Sequence, residues 1–328
     1  EITLPTGIDN QGKERTAVCC LSSLNLEKYD EWKDNEQFVE DVMRFLDNVM
    51  TDFINRAPDS FKHAKYSAMR ERSVGLGVMG LHSYFQKKKI PFGSVMSKVW
   101  NKKVFKDIQQ KVDAASIVLA DERGSCPDAE EYGIKERFSN KTAIAPTASI
   151  SIICGGASPG IEPIAANSYT HKTLSGSYNV RNKYLSKVLD KYNKNNDEVW
   201  SSITTNQGSV SHLDFLTEEE KETFKTAFEI DQRWVVELGA DRTPFISQAQ
   251  SVNVFIPADI HKKELHNIHF QAWKKGLKSL YYCRSKSIQR AENINSGSST
   301  DVTKNVYSKK KKIEKNENNE YEECLSCQ

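Results

Sequence analysis

The chain has 328 residues, 38% of them hydrophobic and 27% charged, with a net charge of +2. That balance supplies one large domain or two ordinary ones, and gives no global electrostatic reason to expect nucleic acid or an anionic membrane as partner. No apolar run nears the roughly 20 residues needed to span a bilayer, and Glu1-Ile2-Thr3-Leu4 lacks the basic start and apolar core of a signal peptide, so a cytoplasmic protein is expected.

Residues 1–26 read as strand, loop, strand. Leu4-Pro5-Thr6-Gly7 and Asp9-Asn10-Gln11-Gly12 supply turn signals, and the second strand is Ala17-Val18-Cys19-Cys20-Leu21. The chain opens on Glu1 in strand-like sequence, without Met, which suggests a piece of something longer. A helix follows, capped by Asn35, with Phe38, Val42, Phe45, Leu46, Val49, Met50 and Phe53 at helical spacing. Gly75-Leu76-Gly77-Val78-Met79-Gly80 matches Gly-x-Gly-x-x-Gly. Arg70-Glu71-Arg72-Ser73 precedes it in place of an apolar strand, so the glycines are read as allowing tight helix packing and not as a dinucleotide fingerprint.

Residues 99–120 read as a helix. Pro146-Thr147-Ala148-Ser149-Ile150-Ser151 looks like a helix start with Thr147 as cap, where free N–H groups and serine hydroxyls could hold an anion. It is not a Walker motif, because no Gly-Lys-Ser/Thr follows. The Gly-rich run Cys154–Gly160 would let backbone approach a ligand closely. Residues 227–256 suggest a helix and then a strand over Ser251–Ile256. Residues 262–275 are helical, with Leu265, Ile268, Ala272 and Trp273 on one face and Gly276 as cap. A short strand, Leu277–Cys283, ends this region. Strands alternating with helices predict an α/β fold.

The seven cysteines are odd in number in a large chain, which argues against a secreted disulfide framework. Residues 291–323 hold almost no apolar side chain and are expected to be disordered. They lead to Cys324-Leu325-Ser326-Cys327-Gln328. A dithiol on a tether of about 34 residues, with a reach of roughly 30 Å, suits an electron shuttle working by thiol exchange. Zinc is the rival, but it needs four ligands, and no second pair lies near in sequence. Cys19 and Cys20, adjacent on a strand, would point to opposite faces, one to a site and the other to packing; a buried cysteine is otherwise just a small hydrophobe. Tyr281 and Tyr282 are either core or a path for electrons and protons. The second use needs close ring stacking, which a regular strand would prevent by splaying the rings apart, so it requires an irregular backbone here. The Lys87–Lys89 and Lys309–Lys312 runs read as solvated surface.

Several segments occur in one order: Glu1-Ile2-Thr3-Leu4-Pro5-Thr6, Ala17 through Leu26, Pro146-Thr147-Ala148-Ser149, Gly160-Ile161-Glu162-Pro163, Leu280-Tyr281-Tyr282 and the terminal Cys-x-x-Cys. Together they resemble the large catalytic subunit of class I ribonucleotide reductases. The resemblance implies the second half of a ten-stranded α/β barrel over residues 1–290 and a flexible tail over 291–328. It implies that Glu1 ends an Asn-x-Cys-x-Glu motif and serves as acid/base at the substrate 3′-hydroxyl, with the Asn and the radical Cys upstream of this chain. Cys19 would be the second reducing cysteine. Thr147, Ala148, Ser149 and Ile150 would bind substrate phosphates, though many relatives carry a different polar residue near Ala148, so contact there is expected through backbone. Tyr281 and Tyr282 would relay a radical, and Cys324 and Cys327 would be the tail dithiol.

No metal or cofactor is expected in this chain itself. The implied partners are an amino-terminal half of the catalytic subunit, a metal-containing small subunit that generates the radical, thioredoxin or glutaredoxin, and a ribonucleoside diphosphate. Half a barrel leaves sheet edges open, so stable folding is expected only against the other half. Cys20 gains no role from the resemblance. The alternative is a non-catalytic assembly or regulatory module derived from that subunit. A stand-alone thiol oxidoreductase is disfavoured, since no thioredoxin-like strand and helix surround the tail pair. The reductase reading requires Glu1, Cys19 and the helix start near Ala148 to converge on one pocket.

Overall fold

A computed structural model describes residues 1–173 and 176–285, with the side chains of 171–177 set aside. The chain opens with a small antiparallel hairpin, β1 (Gly7–Ile8) and β2 (Glu14–Arg15). The scaffold is a parallel ladder. β3 (Leu21–Asn25) pairs with β4 (Gly75–Met79), Leu76 bridges to Thr142, and Ile144 bridges to Gln250. Between and beyond these strands run α1 (Tyr29–Trp32), α2 (Glu36–Arg56), α3 (Lys62–Glu71), α4 (Leu81–Lys87), α5 (Val95–Arg123), α6 (Pro127–Glu131) and the short α7 (Ile150–Ile153). An antiparallel hairpin, β5 (Ser168–Thr173) and β6 (Gly176–Arg181), precedes α8 (Lys183–Lys191), α9 (Asp197–Thr205), α10 (Glu218–Thr223) and α11 (Gln232–Arg242). The last crossover places α12 (Lys262–Lys274) between β7 (Val254–Ile256) and its parallel partner β8 (Cys283–Ser285). Spatial order along the ladder therefore follows chain order, with helical connections, as parallel strands require.

The main core lies between this ladder and two long helices. Val39, Met43, Leu46 and Met50 of α2 face Val104, Phe105, Ile108, Val112 and Leu119 of α5. Asn35 caps α2 by accepting from Gln37 N–H, as its sequence position indicated, and Ser94 and Ser97 form a capping box on α5. A second cluster of Leu185, Leu189, Trp200, Ile203, Leu213 and Phe224 supports the base of the β5–β6 hairpin. Asp47 of α2 is fully buried and is held by Arg72, Arg123 and Arg137, so that a carboxylate ties α2 to three other segments.

Several local expectations change. Glu1–Thr6 forms no ladder strand, and the strand expected at Ala17 begins at Leu21, because Cys20 supplies the carbonyl that Gly75 N–H meets. On α2, Phe45 and Val49 are exposed, and Trp273 of α12 is 73% exposed; the buried stripes are narrower than periodicity implied. The glycines of the Gly-x-Gly-x-x-Gly run serve strand packing, not helix packing. Gly77 lies on β4, where an added Cβ would sit 2.3 Å from the Ala143 carbonyl oxygen. The strand expected over Leu277–Cys283 is confined to Cys283–Ser285. The tail from 291 lies outside the described residues.

Candidate active site

Glu1 joins the ladder through both backbone and side chain. Its carbonyl accepts from Ala249 N–H at 2.9 Å, and its carboxylate accepts from Ser251 Oγ at 2.7 Å. Two residues on, Thr3 N–H donates to Gln248 Oε1 at 3.2 Å, and Gln248 Nε2 donates to the Val74 carbonyl at 3.1 Å. Leu4 then lines a narrow gap with Val18. The opening segment thus crosses the starts of the strands, from Ser251 to the residue before Cys19.

Cys19 is exposed just ahead of β3, and Cys20 is half-buried. Cys20 Sγ points to the Leu46 carbonyl of α2 at 3.9 Å, and burial pushes its thiol up to about 11. This division matches the opposite-face expectation: Cys20 serves packing and Cys19 is the accessible thiol.

The Pro146–Ile150 segment differs from a capped helix start. Thr147 is buried with φ +54°, and its hydroxyl accepts from Gly160 N–H at 2.7 Å. Gly160 (φ +42°) runs so close to the Ala145 carbonyl that an added Cβ would lie 3.0 Å away. Thr147 therefore pins the Gly-Ile-Glu-Pro loop and does not cap α7, which starts at Ile150 behind Ser149. Ala148 is half-buried, while Ser149 and Ile150 are exposed.

A cavity of about 950 Å³ opens beside this loop. Its wall includes Ala148, Ser151, Glu162, Asn167, Phe255 and Arg284, so it lies toward the carboxyl ends of the parallel strands, where ligands bind in α/β folds. Of the three groups expected to share one pocket, only the Ala148 segment lines this cavity; Glu1 and Cys19 do not. Glu1 approaches it indirectly: Ser251 holds Glu1, and two residues later Asn253 Nδ2 donates to Glu162 Oε2 at 2.5 Å. Burial raises the Glu162 carboxyl above the usual range, against the lowering effect of Asn253 and Arg284.

Tyr281 and Tyr282 precede β8 in non-strand backbone, with ring centroids 4.1 Å apart and planes tilted by 52°. Tyr281 N–H donates to Val252 O, and Val254 N–H donates to Tyr282 O. The rings are close and the backbone irregular, as an electron path was expected to need, but the 52° tilt is not the stacked arrangement that was expected. Cys324 and Cys327 lie outside the described residues. Among the described residues no cluster of His, Cys, Asp or Glu could hold a metal ion, and no helix is long and apolar enough to cross a membrane.

Sequence reasoning missed Ser251, Gln248, Asn253 and the bond made by Glu162. The signal for two of them was present: Ser251 and Asn253 alternate with Val252 and Val254 in the segment leading into β7, although the strand expected over Ser251–Ile256 is confined to Val254–Ile256.

Parallel strands joined by helices define an α/β protein, and the sequence matches one family of that class directly. Residues 1–136 and 128–283 match the family described as "Ribonucleotide reductase, barrel domain". The chain belongs to this family. It is 51% identical over 300 residues to the ribonucleoside-diphosphate reductase large subunit of Invertebrate iridescent virus 6, covering 90% of this chain and 31% of that protein. It is 40% identical to the putative large subunit of Frog virus 3, covering 100% of this chain and 54% of that one. In structure it resembles the Actinobacillus ureae class Id ribonucleotide reductase alpha subunit, with a TM-score of 0.78 and 40% identity over 83% of this chain and 50% of that chain. The chain thus spans between about a third and about half of these relatives' length.

Proposed function

We propose that this chain contributes the second half of the catalytic barrel in a ribonucleoside-diphosphate reductase, with the first half, a radical-generating small subunit and a dithiol reductant supplied by partners. The observation that supports the reading is the polar link from Glu1 to the cavity wall: Ser251 holds the Glu1 carboxylate and, two residues on, Asn253 holds Glu162, so the residue that the resemblance casts as acid/base is tied to the cavity although neither it nor Cys19 lines it.

In this reading the substrate is a ribonucleoside diphosphate. Its phosphates meet the backbone of Ala148, Ser149 and Ile150, behind Thr147, whose hydroxyl is already engaged by Gly160. Glu1 takes and returns the 3′-hydroxyl proton. The 2′ C–OH bond is replaced by C–H and the hydroxyl leaves as water. Two electrons come from Cys19 and a partner thiol, which end as a disulfide. Exposure of Cys19 suits a thiol that must meet both substrate and reductant. Cys324 and Cys327 then reduce that disulfide by exchange and are themselves reduced by thioredoxin or glutaredoxin. The metal-containing small subunit supplies the initiating radical, and the 4.1 Å spacing of Tyr281 and Tyr282 suits these residues to pass it on.

The test is reconstitution of the full chain with an amino-terminal half and a small subunit, followed by assay of diphosphate reduction. Cys19→Ser should abolish multiple turnovers. Tyr281→Phe and Tyr282→Phe should block turnover while leaving substrate binding intact. Cys324→Ser should stop turnover with thioredoxin but spare it with a small dithiol. Full activity of these variants would end the catalytic reading in favour of a non-catalytic assembly module.

A further inference from the structure

Tyr282 is 47% exposed, so packing alone does not fix its ring. A polar bracket holds the backbone from which the ring projects. Tyr282 N–H donates to Asn253 Oδ1 at 3.0 Å, while the other end of the same amide donates to Glu162 Oε2 at 2.5 Å. Asn253 is 2% exposed, so rotating its amide would break both bonds and place like groups face to face. The Arg284 guanidinium lies over the Tyr282 ring, 5.7 Å from its centroid. Three segments distant in sequence, at 162, 253 and 282, therefore meet through one amide.

We propose that Asn253 and Glu162 are positioning residues that hold Tyr282 in register against Tyr281. The proposal rests on the relay reading of the tyrosine pair. Transfer between two phenols depends on their separation and orientation, and a displacement of about 1 Å can cost on the order of 100-fold in rate. Asparagine meets the chemical requirement at this point, since it must accept from a backbone N–H and donate to a carboxylate at once. Aspartate has the same shape but would set two carboxyl groups against each other.

The experiment uses the full chain in the reconstituted reductase and reads kcat and KM for the diphosphate separately. Asn253→Asp should lower kcat at least 10-fold with KM changed less than about 2-fold, since Asn253 does not line the cavity. Glu162→Ala should lower kcat by a similar factor. The double variant Asn253→Asp with Glu162→Gln reverses the direction of the shared bond, because the glutamine amide now donates and the aspartate accepts from both sides. It should recover kcat to within about 3-fold of the parent.

Wild-type kcat in either single variant overturns the proposal, as does a double variant no better than Asn253→Asp. Where Asn253→Asp does not fold, Glu162→Ala decides by its kcat. Tyr282→Phe in the same assay separates the two ideas. A fully active Tyr282→Phe refutes the relay itself, whereas an inactive Tyr282→Phe beside a fully active Asn253→Asp refutes only the bracket.

Discussion

Ser251 Oγ donates a 2.7 Å hydrogen bond to the Glu1 carboxylate, joining residues 250 positions apart. Ser251 is 4% exposed, and its N–H is taken by the Ile144 carbonyl, so the hydroxyl is presented from a fixed backbone. A carboxylate held this way keeps one orientation, which a group moving a proton at a defined atom requires.

Ser251→Ala should leave Glu1 without this anchor. The expected cost in stability is about 1.5 to 3 kcal/mol, the range for a hydrogen bond to a charged group. The larger effect should fall on turnover, with kcat for diphosphate reduction down roughly 10-fold and KM little changed. Parallel urea titrations and steady-state kinetics check both; an unaltered kcat would separate Glu1 from the chemistry.

The two adjacent cysteines should differ in reactivity. At pH 8 the Cys20 thiol, raised to about 11 mainly by burial, carries about 100-fold less thiolate than an ordinary one near 9. Alkylation of the native protein followed by mass spectrometry should modify the exposed Cys19 first, and unfolding should bring Cys20 up to the same rate. Equal native rates would show that Cys20 is not held against Leu46.

Acid should destabilise the fold in two stages. Fully buried His82 accepts from Ile164 N–H through Nδ1, and burial lowers its pKa from 6.5 to about 3. The unfolded chain therefore takes up a proton that the native state refuses, and stability falls as pH drops from about 6.5 toward 3. Asp47 has its carboxyl held below the usual range by Arg137, Arg72 and Arg123, against the opposing effect of burial. Its contribution is present above about pH 4 and is lost at lower pH. Urea unfolding from pH 8 to 3 should show both stages. His82→Asn should flatten the upper one, and Asp47→Ala should cost about 3 to 5 kcal/mol at pH 7 by leaving the arginines without their buried partner.

Gly77→Ala should be among the more damaging methyl additions in the chain. The new Cβ would lie 2.3 Å from the Ala143 carbonyl oxygen, so neighbouring strands must part, at a cost of about 3 kcal/mol or more. Gly133→Ala makes the control: it has φ +66° but no atom within 4 Å of the added Cβ, so only the backbone penalty of about 1 to 2 kcal/mol applies. Urea midpoints should rank the two accordingly, and equal values would mean the ladder opens freely at Ala143.

By itself the sequence determined what depends on near neighbours. Asn35 as a cap, the two long helices, the α/β alternation and the ordered motifs of the reductase barrel were all legible, because capping and periodicity act over a few residues. The contacts that build the site were not. Thr147 has the right chemistry for a helix cap, yet its hydroxyl goes to Gly160, since the chain returns there at a separation that local pattern does not encode. Gly75 and Gly77 looked like helix spacers until parallel neighbours appeared on both sides of β4. Ser251, Asn253 and Glu162 acquired partners only when segments far apart in sequence were brought side by side, a separation that local pattern does not encode.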